Sequence, residues 1–394
     1  MSARRPLDVL IVGGGMAGAA AALALAQAGF AVALLDRQRP PTWSPAAPAD
    51  LRVVALAPSS ARLLDRMGVW STVAAARVSP YRAMRVWDAA SGAEFGFDAA
   101  LLDRNELGWI VENNLVQSAL WQALAAAGVE CRAPVAVGAP VQESGRVRVP
   151  LDDGSTLAAR LLIAADGRDS PLRAAFGIAS RGRDYGQRAV VAHLDVERLH
   201  ADTAWQRFLP GGPLALLPLA DGRVSLVWSL PEAEAARVLA LDDADFCAAV
   251  GAGSDFRLGR VRATTPRAAF ALRLGLAQRF AATRLLLLGD AAHAVHPLAG
   301  QGINLGLRDV AELVAVLSVA RDAGTDIGAD SVLRRYARRR RSADTLDAHG
   351  FDAIARAFAI DAVPWTALRG FGMRALDRLP ALKRRLAAHA AGLR

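Results

Sequence analysis

Residues 8–28 read DVLIVGGGMAGAAAALALAQA, which is a short apolar run, three successive glycines and a long stretch of alanine and leucine. The run from Asp8 to Val12 has the character of a strand, and Gly13 to Gly18 fits the pattern GxGxxG at the start of a helix. A second strand, Ala31 to Leu35, ends at Asp36, about the right distance away for a carboxylate that binds a ribose hydroxyl. The glycines permit a tight turn, close helix–strand packing and the approach of a pyrophosphate to the helix N-terminus. This stretch predicts a Rossmann-like unit that binds a dinucleotide, without deciding between FAD and NAD.

A second glycine-rich segment lies far along the chain. An apolar run of strand length, Arg284 to Leu288, is followed by Gly289 and Asp290, and then by glycines at 300, 302 and 306 in a string that ends at Asp309. The Asp290 carboxylate projects from a strand end, which is where open α/β sheets place their ligands. The glycines let the backbone approach a flat ligand, and the positive N-terminus of the following helix would stabilise negative charge on a reduced flavin ring. The alternative is a glycine-rich turn between a core strand and a core helix, which the length of the string disfavours.

A third strand end has a similar character. The apolar strand Leu161 to Ala165 ends in Asp166-Gly167-Arg168-Asp169-Ser170. Standing alone, Asp-Gly after a strand is usually only a turn.

Three strand-end motifs in this order resemble the flavoprotein aromatic hydroxylases, which are single-component FAD monooxygenases of the para-hydroxybenzoate hydroxylase type. Within that group the chain is similar to the ubiquinone-biosynthesis hydroxylase family. Asp50 to Leu56, Gly68 to Trp70 and Glu112 to Leu120 also carry the resemblance, which covers most of the chain. The Gly289 to Asp309 string is its most specific part.

The resemblance implies a set of FAD-binding positions. They are Gly13, Gly15, Met16, Ala17, Gly18, Asp36, Arg37, Arg52, Gln117, Asp166, Gly289, Asp290, Pro297, Gly300, Gly302, Ile303 and Asn304. In the family pattern the first glycines hold the pyrophosphate and Asp36 binds the adenosine ribose, although the family more often has Glu there. Arg52 and Gln117 lie at the ribityl-pyrophosphate region.

The resemblance also implies how the flavin ring is held. Asp290 bonds the ribityl chain or the pyrophosphate-side hydroxyls, and Pro297 lies beside the ring as the residue nearest to the chemistry. Gly302, Ile303 and Asn304 present their backbone to the pyrimidine edge of the ring. Asp166 supports both FAD and the approach of a transient electron donor, NADPH or NADH. No side chain stands out as a catalytic acid or base.

The predicted fold is α/β, with a Rossmann-like FAD-binding domain interwoven with an antiparallel substrate sheet and followed by C-terminal helices. The FAD domain comprises residues 1–80, 100–180 and 274–345, the substrate sheet comprises 81–99 and 181–273, and the helices comprise 346–394. The substrate sheet is inferred from alternating runs between about Tyr185 and Arg273. Trp87, Phe95, Trp205, Phe208 and Trp228 could line an aromatic pocket in this sheet, although ordinary sheet core is the favoured interpretation.

Cysteine and histidine usage indicates that neither disulfides nor a metal defines this protein. Cys131 and Cys247 have no CxxC spacing, which predicts a reducing compartment. His293 and His296 lack carboxylates at metal-ligand spacing, so no metal site is expected. The uncharged span from Val9 to Leu35 is long enough to cross a bilayer, but its glycines match the nucleotide fold instead. We therefore expect a cytoplasmic enzyme.

The chain carries a formal net charge of +9, and its basic residues cluster late. Between Trp365 and Leu386, apolar residues recur at near-helical spacing opposite many of these cations, and Pro380 interrupts the pattern so that it splits into two helices. A basic amphipathic terminus can lie on an anionic membrane, which here would be the inner membrane face, or dock a partner of a biosynthetic complex. It can equally cover the chain's own core. Nucleic-acid binding is disfavoured, because no recognition motif organises the positive charge.

The expected activity is hydroxylation of an aromatic ring, most consistent with a prenylated phenol of ubiquinone biosynthesis, with NAD(P)H and O2 as co-substrates. The redox chemistry would come from the flavin, while the protein orients the ring and excludes water. Two other classes share the cofactor motifs. One is an FAD-dependent reductase or dehydrogenase of a prenyl substrate, and the other is a non-catalytic FAD-binding subunit. A halogenase is disfavoured, because the expected tryptophan-rich motif and dedicated lysine are not evident.

Overall fold

The computed structural model describes residues 6–294, 302–360 and 362–393. Their strands form three sheets. In chain order the strands are β1 (Leu7–Val12), β2 (Val32–Leu35), β3 (Val53–Leu56), β4 (Ser79–Tyr81), β5 (Ala83–Asp88), β6 (Glu94–Asp98), β7 (Gly108–Glu112), β8 (Glu130–Arg132), β9 (Val141–Glu143), β10 (Arg146–Pro150), β11 (Thr156–Ala164), β12 (Ser180–Val196), β13 (Thr203–Leu209), β14 (Gly212–Pro218), β15 (Val224–Pro231), β16 (Val261–Thr264), β17 (Ala268–Ala277), β18 (Ala281–Ala282), β19 (Leu285–Leu287) and β20 (His293–Ala294).

The helices pack on these sheets and form the C-terminal segment. They are α1 (Met16–Gln27), α2 (Pro58–Arg66), α3 (Trp70–Ala74), α4 (Asn113–Ala126), α5 (Pro171–Ala175), α6 (Glu232–Leu239), α7 (Asp243–Gly253), α8 (Gly302–Asp322), α9 (Asp330–Ala359), α10 (Val363–Asp377) and α11 (Pro380–Ala390). Single 3₁₀ turns cover Ala99–Leu102 and Gly289–Ala291.

The first sheet has the order β18-β19-β11-β1-β2-β8, with β10 and β9 added beside β11. The five strands from β19 to β8 are parallel. Val12 pairs with Ala164 on one side and Leu35 on the other, and Ala164 pairs with Leu287. The carboxyl ends of β19, β11, β1 and β2 therefore lie in one row, so the segments that follow them emerge side by side.

Both faces of the central parallel strands are buried, which explains why β1, β2 and β19 are apolar without alternation. On β1, Val9 and Ile11 pack in the core beneath α1, α4 and α8, while Leu10 and Val12 pack in a second core with β10 and Phe280. Helix α1 is nearly all alanine and leucine, so it can approach both the sheet and α8 closely.

The second sheet has the order β20-β17-β12-β15-β14-β13-β5-β6, with β16 added beside β12. Its pairs are antiparallel except for β5 and β13, which run parallel because β5 enters the sheet from a separate excursion of the chain. One face of β12, β14 and β15 packs against α6 and α7 through residues such as Leu226 and Trp228. The opposite face is turned toward the first sheet.

The aromatic residues considered as pocket-lining lie in the core, as the favoured interpretation predicted. Trp205 and Trp228 pack with the core on the α6–α7 face, and Trp87 makes an edge contact with Trp205 at 6.3 Å between ring centroids. Phe95 and Phe208 belong to a separate cluster at the β5–β6 edge of the sheet.

A small third sheet, β3-β7-β4, supports the segment that carries Arg52. The buried Glu112 at the end of β7 accepts hydrogen bonds from the Asp50 amide at 2.8 Å and from Arg77 Nε at 2.9 Å. Asp50 in turn accepts from the backbone amides of Arg52 and Asn114. These bonds fix the backbone immediately before β3.

The C-terminal helices pack against the edge of the second sheet. Arg369 of α10 forms a buried ion pair with Asp88 at the end of β5, with 6% and 2% of the two side chains exposed. The same guanidinium donates to the carbonyls of Ala357 and Ile360 at the end of α9. Pro380 begins α11, so the predicted split into two helices is confirmed.

The predicted α/β class is confirmed, with one parallel sheet, one largely antiparallel sheet and helices at the C-terminus. The exact domain boundaries stay a prediction. Helix α9 runs continuously across the boundary placed at 345/346, and β17 runs across that placed at 273/274. Cys131 and Cys247 are free thiols.

Candidate FAD and substrate site

A cavity of about 630 Å³ lies between the row of strand ends and the inner face of the second sheet. Its cofactor side is lined by ten of the predicted FAD residues, and its other side by β12, β13, β14, β15 and β17. The ten are Gly15, Met16, Ala17, Gly18, Arg52, Gln117, Gly289, Asp290, Gly302 and Ile303. The cavity has the size of a site for a cofactor or small molecule.

Glycine is needed at different positions of the first motif for different structural reasons. Gly13 has φ of +107°, and a Cβ there would lie 2.1 Å from the Ala165 carbonyl oxygen. A Cβ on Gly18 would lie 1.9 Å from the Gly13 carbonyl oxygen. Gly15 has no atom within 4 Å of its Cβ position, and it faces the cavity at the N-terminus of α1. Gly13 and Gly18 therefore allow the packing of strand and helix, while Gly15 leaves open space for a ligand.

Asp36 and Gln117 meet at Gly14. The Asp36 carboxylate accepts hydrogen bonds from the amides of Gly14 and Gln38. Gln117 Nε2 and Trp121 Nε1 both donate to the Gly14 carbonyl, at 2.9 and 2.8 Å. Asp36 does not line the cavity; its Oδ2 holds the glycine loop, while its Oδ1 holds the turn that follows β2. Its predicted contact with ribose stays a prediction.

The second glycine-rich segment meets α1 through small residues. Cβ positions on Gly289 and Gly306 would lie 3.1 and 3.2 Å from the Ala17 Cβ. Gly306 lies within α8, which already includes Gly302, so the helix begins earlier than the sequence analysis placed it. Gly306 thus serves the packing of α8 on α1, whereas Gly289 and the exposed Asp290 line the cavity.

Asp309, at the end of the predicted string, organises a buried network. Its carboxylate accepts from the Gly289 amide at 2.9 Å and contacts His293 Nε2 at 2.7 Å, and its second oxygen accepts from Arg340 Nε of α9. Burial alone would raise the pKa of Asp309, but His293 and Arg340 outweigh it and hold the pKa below its ordinary value. The ionised carboxylate therefore joins α8, α9 and the backbone beside Asp290.

Asn304 is fully buried and its side chain points away from the cavity. Its Oδ1 accepts from the Ala57 amide at 2.9 Å and from Ser60 Oγ at 2.7 Å, and its Nδ2 donates to the Ala55 carbonyl at 2.8 Å. The amide therefore joins α8 to the segment that follows Arg52. Only the backbone of Asn304 is left for the predicted contact with the flavin.

Asp166 lies between Ala165 and Gly167, which both line the cavity. Its Oδ2 accepts from the Leu172 amide of α5 at 3.1 Å, while its buried Oδ1 has no partner among the described residues. Arg173 of the same helix donates to the Ala291 carbonyl at 2.9 Å. The Asp166 segment is therefore bonded to the Asp290 segment.

Two arginines predicted at the cofactor have different positions. Arg52 is exposed at the cavity and its guanidinium lies 5.5 Å from the ring centroid of Phe270 on β17. Arg37 is exposed away from the cavity lining. Pro297 and Gly300, like His296, lie outside the described residues. Their predicted roles stay predictions.

A histidine of the substrate sheet supports the Arg52 segment from the other side. His193 on β12 is 1% exposed, and its Nε2 lies 2.9 Å from the Asp50 carbonyl oxygen. Burial lowers the pKa of His193, and the Asp50 carbonyl offsets this only in part. A neutral imidazole therefore connects the second sheet to the segment before β3.

Comparisons with known proteins identify the family of the chain. The model of the FAD binding domain family matches residues 6–346. The chain is 38% identical over 392 residues to the 3-demethoxyubiquinol 3-hydroxylase of Escherichia coli (strain K12), with 99% of each chain covered. It is 35% identical to the ubiquinone biosynthesis monooxygenase COQ6 of Homo sapiens, with 97% of this chain and 92% of the relative covered.

The chain belongs to the ubiquinone-biosynthesis hydroxylase family of FAD-dependent monooxygenases. The same fold occurs in the crystal structure of p-nitrophenol 4-monooxygenase PnpA from Pseudomonas putida DLL-E4, at a TM-score of 0.76 and 20% identity over 98% of both chains. The predicted FAD cofactor and the assignment to flavin-dependent hydroxylases are confirmed.

The described residues fit FAD. Two helix N-termini, those of α1 and α8, reach the cavity, and the backbone amides and positive dipole end of a helix N-terminus favour negatively charged groups. The open space at Gly15 and the unpartnered Asp166 Oδ1 at the cavity margin give the ligand both room and an acceptor. Gly15 to Gly18 would hold the pyrophosphate, and Gly302 and Ile303 would face the ring.

Sequence reasoning missed several residues that shape this site. Asp50 and Glu112 stood inside the quoted motifs but received no role, and Arg340 was read only as part of a basic cluster. The available signal was weak, because a carboxylate that bonds backbone amides leaves no spacing pattern. Asp309 ended the recognised string, which was the one visible hint.

Substitution of a tightly packed glycine and of a cavity-facing glycine should cause different defects, one in stability and one in FAD binding. We expect Gly18→Ala to destabilise the FAD-free protein by about 3 kcal/mol, because its methyl group collides with the backbone of Gly13. Gly15→Ala should leave the FAD-free protein close to wild type and weaken FAD binding, because its methyl group enters the open space of the cradle. Denaturant unfolding of stripped protein and FAD titration measure the two effects. Equal destabilisation by both substitutions would contradict this assignment.

The Asp309 network predicts that two neighbouring arginines contribute very different amounts to the free energy of unfolding. We expect Arg340→Met to destabilise the protein by about 3 kcal/mol, because it removes a partner of a fully buried carboxylate. Arg339→Met is the matched control, since Arg339 is 48% exposed in its pair with Glu312 and should contribute less than about 1 kcal/mol. Denaturant unfolding measures both variants. If both variants lost a similar amount of unfolding free energy, the buried contact of Arg340 with Asp309 would not be the stabilising interaction proposed here.

Proposed function

We propose that this protein uses NADPH or NADH and O2 to add one hydroxyl group to the aromatic ring of a prenylated phenol in ubiquinone biosynthesis. The observation that carries the proposal is the shared cavity, in which the cofactor cradle and the inner face of the second sheet enclose one space. The relatives named for ubiquinone biosynthesis match nearly the whole chain, including that sheet.

FAD held by Gly15 to Gly18, Gly302 and Ile303 would supply the redox chemistry that the side chains lack, namely hydride acceptance and activation of O2. The protein itself binds the cofactor and the substrate and excludes water from the cavity. The N-terminus of α8 directs backbone amides at the cavity where negative charge develops. Asp309 holds the Gly289 amide and so fixes the shape of the loop beside Asp290.

The wall opposite the cofactor is largely apolar. Val191, Leu217, Val227 and Leu272 contribute branched side chains to it. An apolar wall suits an aromatic ring and keeps water from the reacting atoms. Among the described residues at the cavity, no histidine or carboxylate of the second sheet is placed as an acid or base, which agrees with a reaction on an electron-rich ring.

Isotope-labelled O2 tests this function. We expect anaerobic NAD(P)H to bleach the yellow protein, and labelled O2 admitted with a prenylated phenol to give a product that carries one labelled oxygen atom. A reductase would be bleached without labelling a product, and a non-catalytic subunit would not be bleached. Gly15→Ala protein, which is expected to stay folded and to bind FAD weakly, is the control when it is stripped of FAD. Absence of phenol-stimulated O2 uptake with a panel of prenylated phenols would remove the proposal.

We also propose that the C-terminal helices lie on an anionic membrane surface, where prenylated substrates reside. Among the described residues, no helix is both long and apolar enough to cross a bilayer. The outer side of α10 and α11 instead exposes Val363 by 83%, Leu368 by 59%, Phe371 by 67% and Leu379 by 51%. Solvent-exposed apolar side chains at this density mark an interaction surface.

Charge favours lipid as the occupant of this surface. Arg374 of α10, Arg378 just after α10 and Arg385 of α11 are exposed and have no acidic partner among the described residues. Apolar side chains flanked by unpaired cations suit the boundary between acyl chains and anionic headgroups. The buried Arg369–Asp88 pair holds α10 on the second sheet, so this surface is rigidly placed.

Vesicle flotation tests the membrane surface. We expect the protein to float with phosphatidylglycerol-containing vesicles, less with pure phosphatidylcholine, and several-fold less after Leu368→Ser with Phe371→Ser. The matched control is Leu199→Ser with Phe256→Ser, since these residues are 81% and 51% exposed elsewhere on the molecule. Equal flotation of the two double variants, or none by the unaltered protein, would overturn the proposal. The absence of flotation is what a protein partner at this surface predicts.

A further inference from the structure

Two buried polar side chains on the second sheet face the cavity without partners. Gln206 on β13 is 6% exposed and Ser229 on β15 is 2% exposed, and both line the cavity. Neither side chain forms a hydrogen bond within the described residues, and their polar atoms are open to the cavity. A few polar groups on an otherwise apolar wall are what fixes the orientation of a bound small molecule.

The register of the sheet sets the distance between them. Gln206 pairs with Ala215, Ala215 with Val227, and Val227 with Val191, so these four side chains form one row on the cavity face. Ser229 lies two strands away from Gln206 and two residues beyond this row. Strand spacing and rise per residue then place the two Cα atoms about 12 Å apart. The polar groups cannot share one oxygen atom, but they can address two oxygen atoms on different sides of a ring.

Between them the floor of the cavity is apolar. Val191, Ala215 and Val227 form its centre, and Ala189 and Pro213 lie beside Ser229. Small and branched side chains leave a flat space for a benzene ring. A glutamine amide both donates and accepts, as does a serine hydroxyl, so each can bind a hydroxyl or an ether oxygen.

We propose that Gln206 and Ser229 select and orient the substrate by binding two different oxygen substituents of its ring. The preferred substrate is accordingly a benzene ring that already carries at least two oxygen substituents, not a simple phenol. This inference rests on the proposed function, because it takes the cavity as the aromatic site. It adds the oxygenation pattern of the ring and the two residues that recognise it.

Equilibrium binding distinguishes these roles without turnover. Binding of alkylated mono- and di-oxygenated benzenes is followed by the change in flavin absorbance of the FAD-loaded protein. We expect Gln206→Met and Ser229→Ala each to weaken binding of the di-oxygenated ring about tenfold, which is roughly the value of one hydrogen bond to a buried group. A mono-oxygenated ring should respond to only one of the two substitutions, and an alkylbenzene to neither.

The chain offers a matched control on the same strand and face. Ser225 of β15 is fully buried and its Oγ also has no partner among the described residues, but it does not line the cavity. Ser225→Ala should leave the affinity of every ring unchanged. Gln206→Met should not lower the melting temperature of substrate-free protein, because the amide stabilises nothing there. A fall in that temperature would identify Gln206 as a structural residue and overturn its assignment.

The outcome is separable from that of the proposed function. If labelled oxygen enters a phenol while both variants bind the di-oxygenated ring like the unaltered protein, the proposed function stands and this inference is wrong. If both variants lose affinity for that ring but no oxygen is transferred, ring recognition stands and the proposed function fails. Should Gln206→Met fold poorly, Gln206→Leu provides a second apolar replacement for the same measurement.

Discussion

The alignment of four parallel strand ends is the constraint on which the site depends. Leu287, Ala164, Val12 and Leu35 occupy one row of the first sheet, so the loops after β19, β11, β1 and β2 emerge together although they are far apart in sequence. A shift of β11 or β19 by one residue would turn its side chains to the opposite face and separate Asp166 or Asp290 from the glycine loop. The register is strongly specified, because both faces of the central parallel strands are buried and their leucine, isoleucine and valine side chains belong to one of two cores.

Backbone amides near this row of strand ends donate hydrogen bonds to carboxylates, and these bonds hold the loops as a rigid cradle. Asp36 holds Gly14, Asp50 holds the start of the Arg52 segment, Asp166 holds α5, and Asp309 holds Gly289. Each of these acids accepts hydrogen bonds from a backbone segment that borders the site, and Asp36 and Asp309 do so from outside the cavity lining. Phosphates and an anionic reduced ring are better served by backbone amides than by acids, whose charge would repel them. Asp290 in the cavity lining and Asp166 Oδ1 at its margin suit hydroxyl groups of a ligand instead, because a carboxylate accepts from a hydroxyl.

The sequence predicted the parts of this arrangement that are local. Strand, glycine turn and helix follow one another in the chain, so the α/β class, the three strand-end motifs and the break at Pro380 were all visible. The interactions that join distant segments were not. Asn304 bonds to Ala55 across 249 positions, and Arg340 reaches Asp309 from another helix. No local pattern marks such contacts, because a buried asparagine or arginine looks the same in a sequence whether its partner lies in the core or in solvent. The early start of α8 was missed for a related reason, since Gly306 suggested a loop while its closeness to Ala17 serves helix packing.

The second sheet shows why the cofactor was easier to predict than the substrate. Its strands alternate, with Trp205, Trp228 and Leu226 turned to α6 and α7, and Gln206, Ser229 and Val227 turned to the cavity. The core face needs bulk and the cavity face needs space, so the tryptophans of this sheet lie on the core side and Phe270 is the aromatic residue of the described sheet that lines the cavity. In the proposed function, substrate recognition falls to small side chains on the opposite face, where a single substitution would change the ring that fits without disturbing the core. A scaffold divided in this way can keep one flavin cradle while the inner face of the sheet varies, which is consistent with the same fold occurring in a p-nitrophenol monooxygenase at only 20% identity.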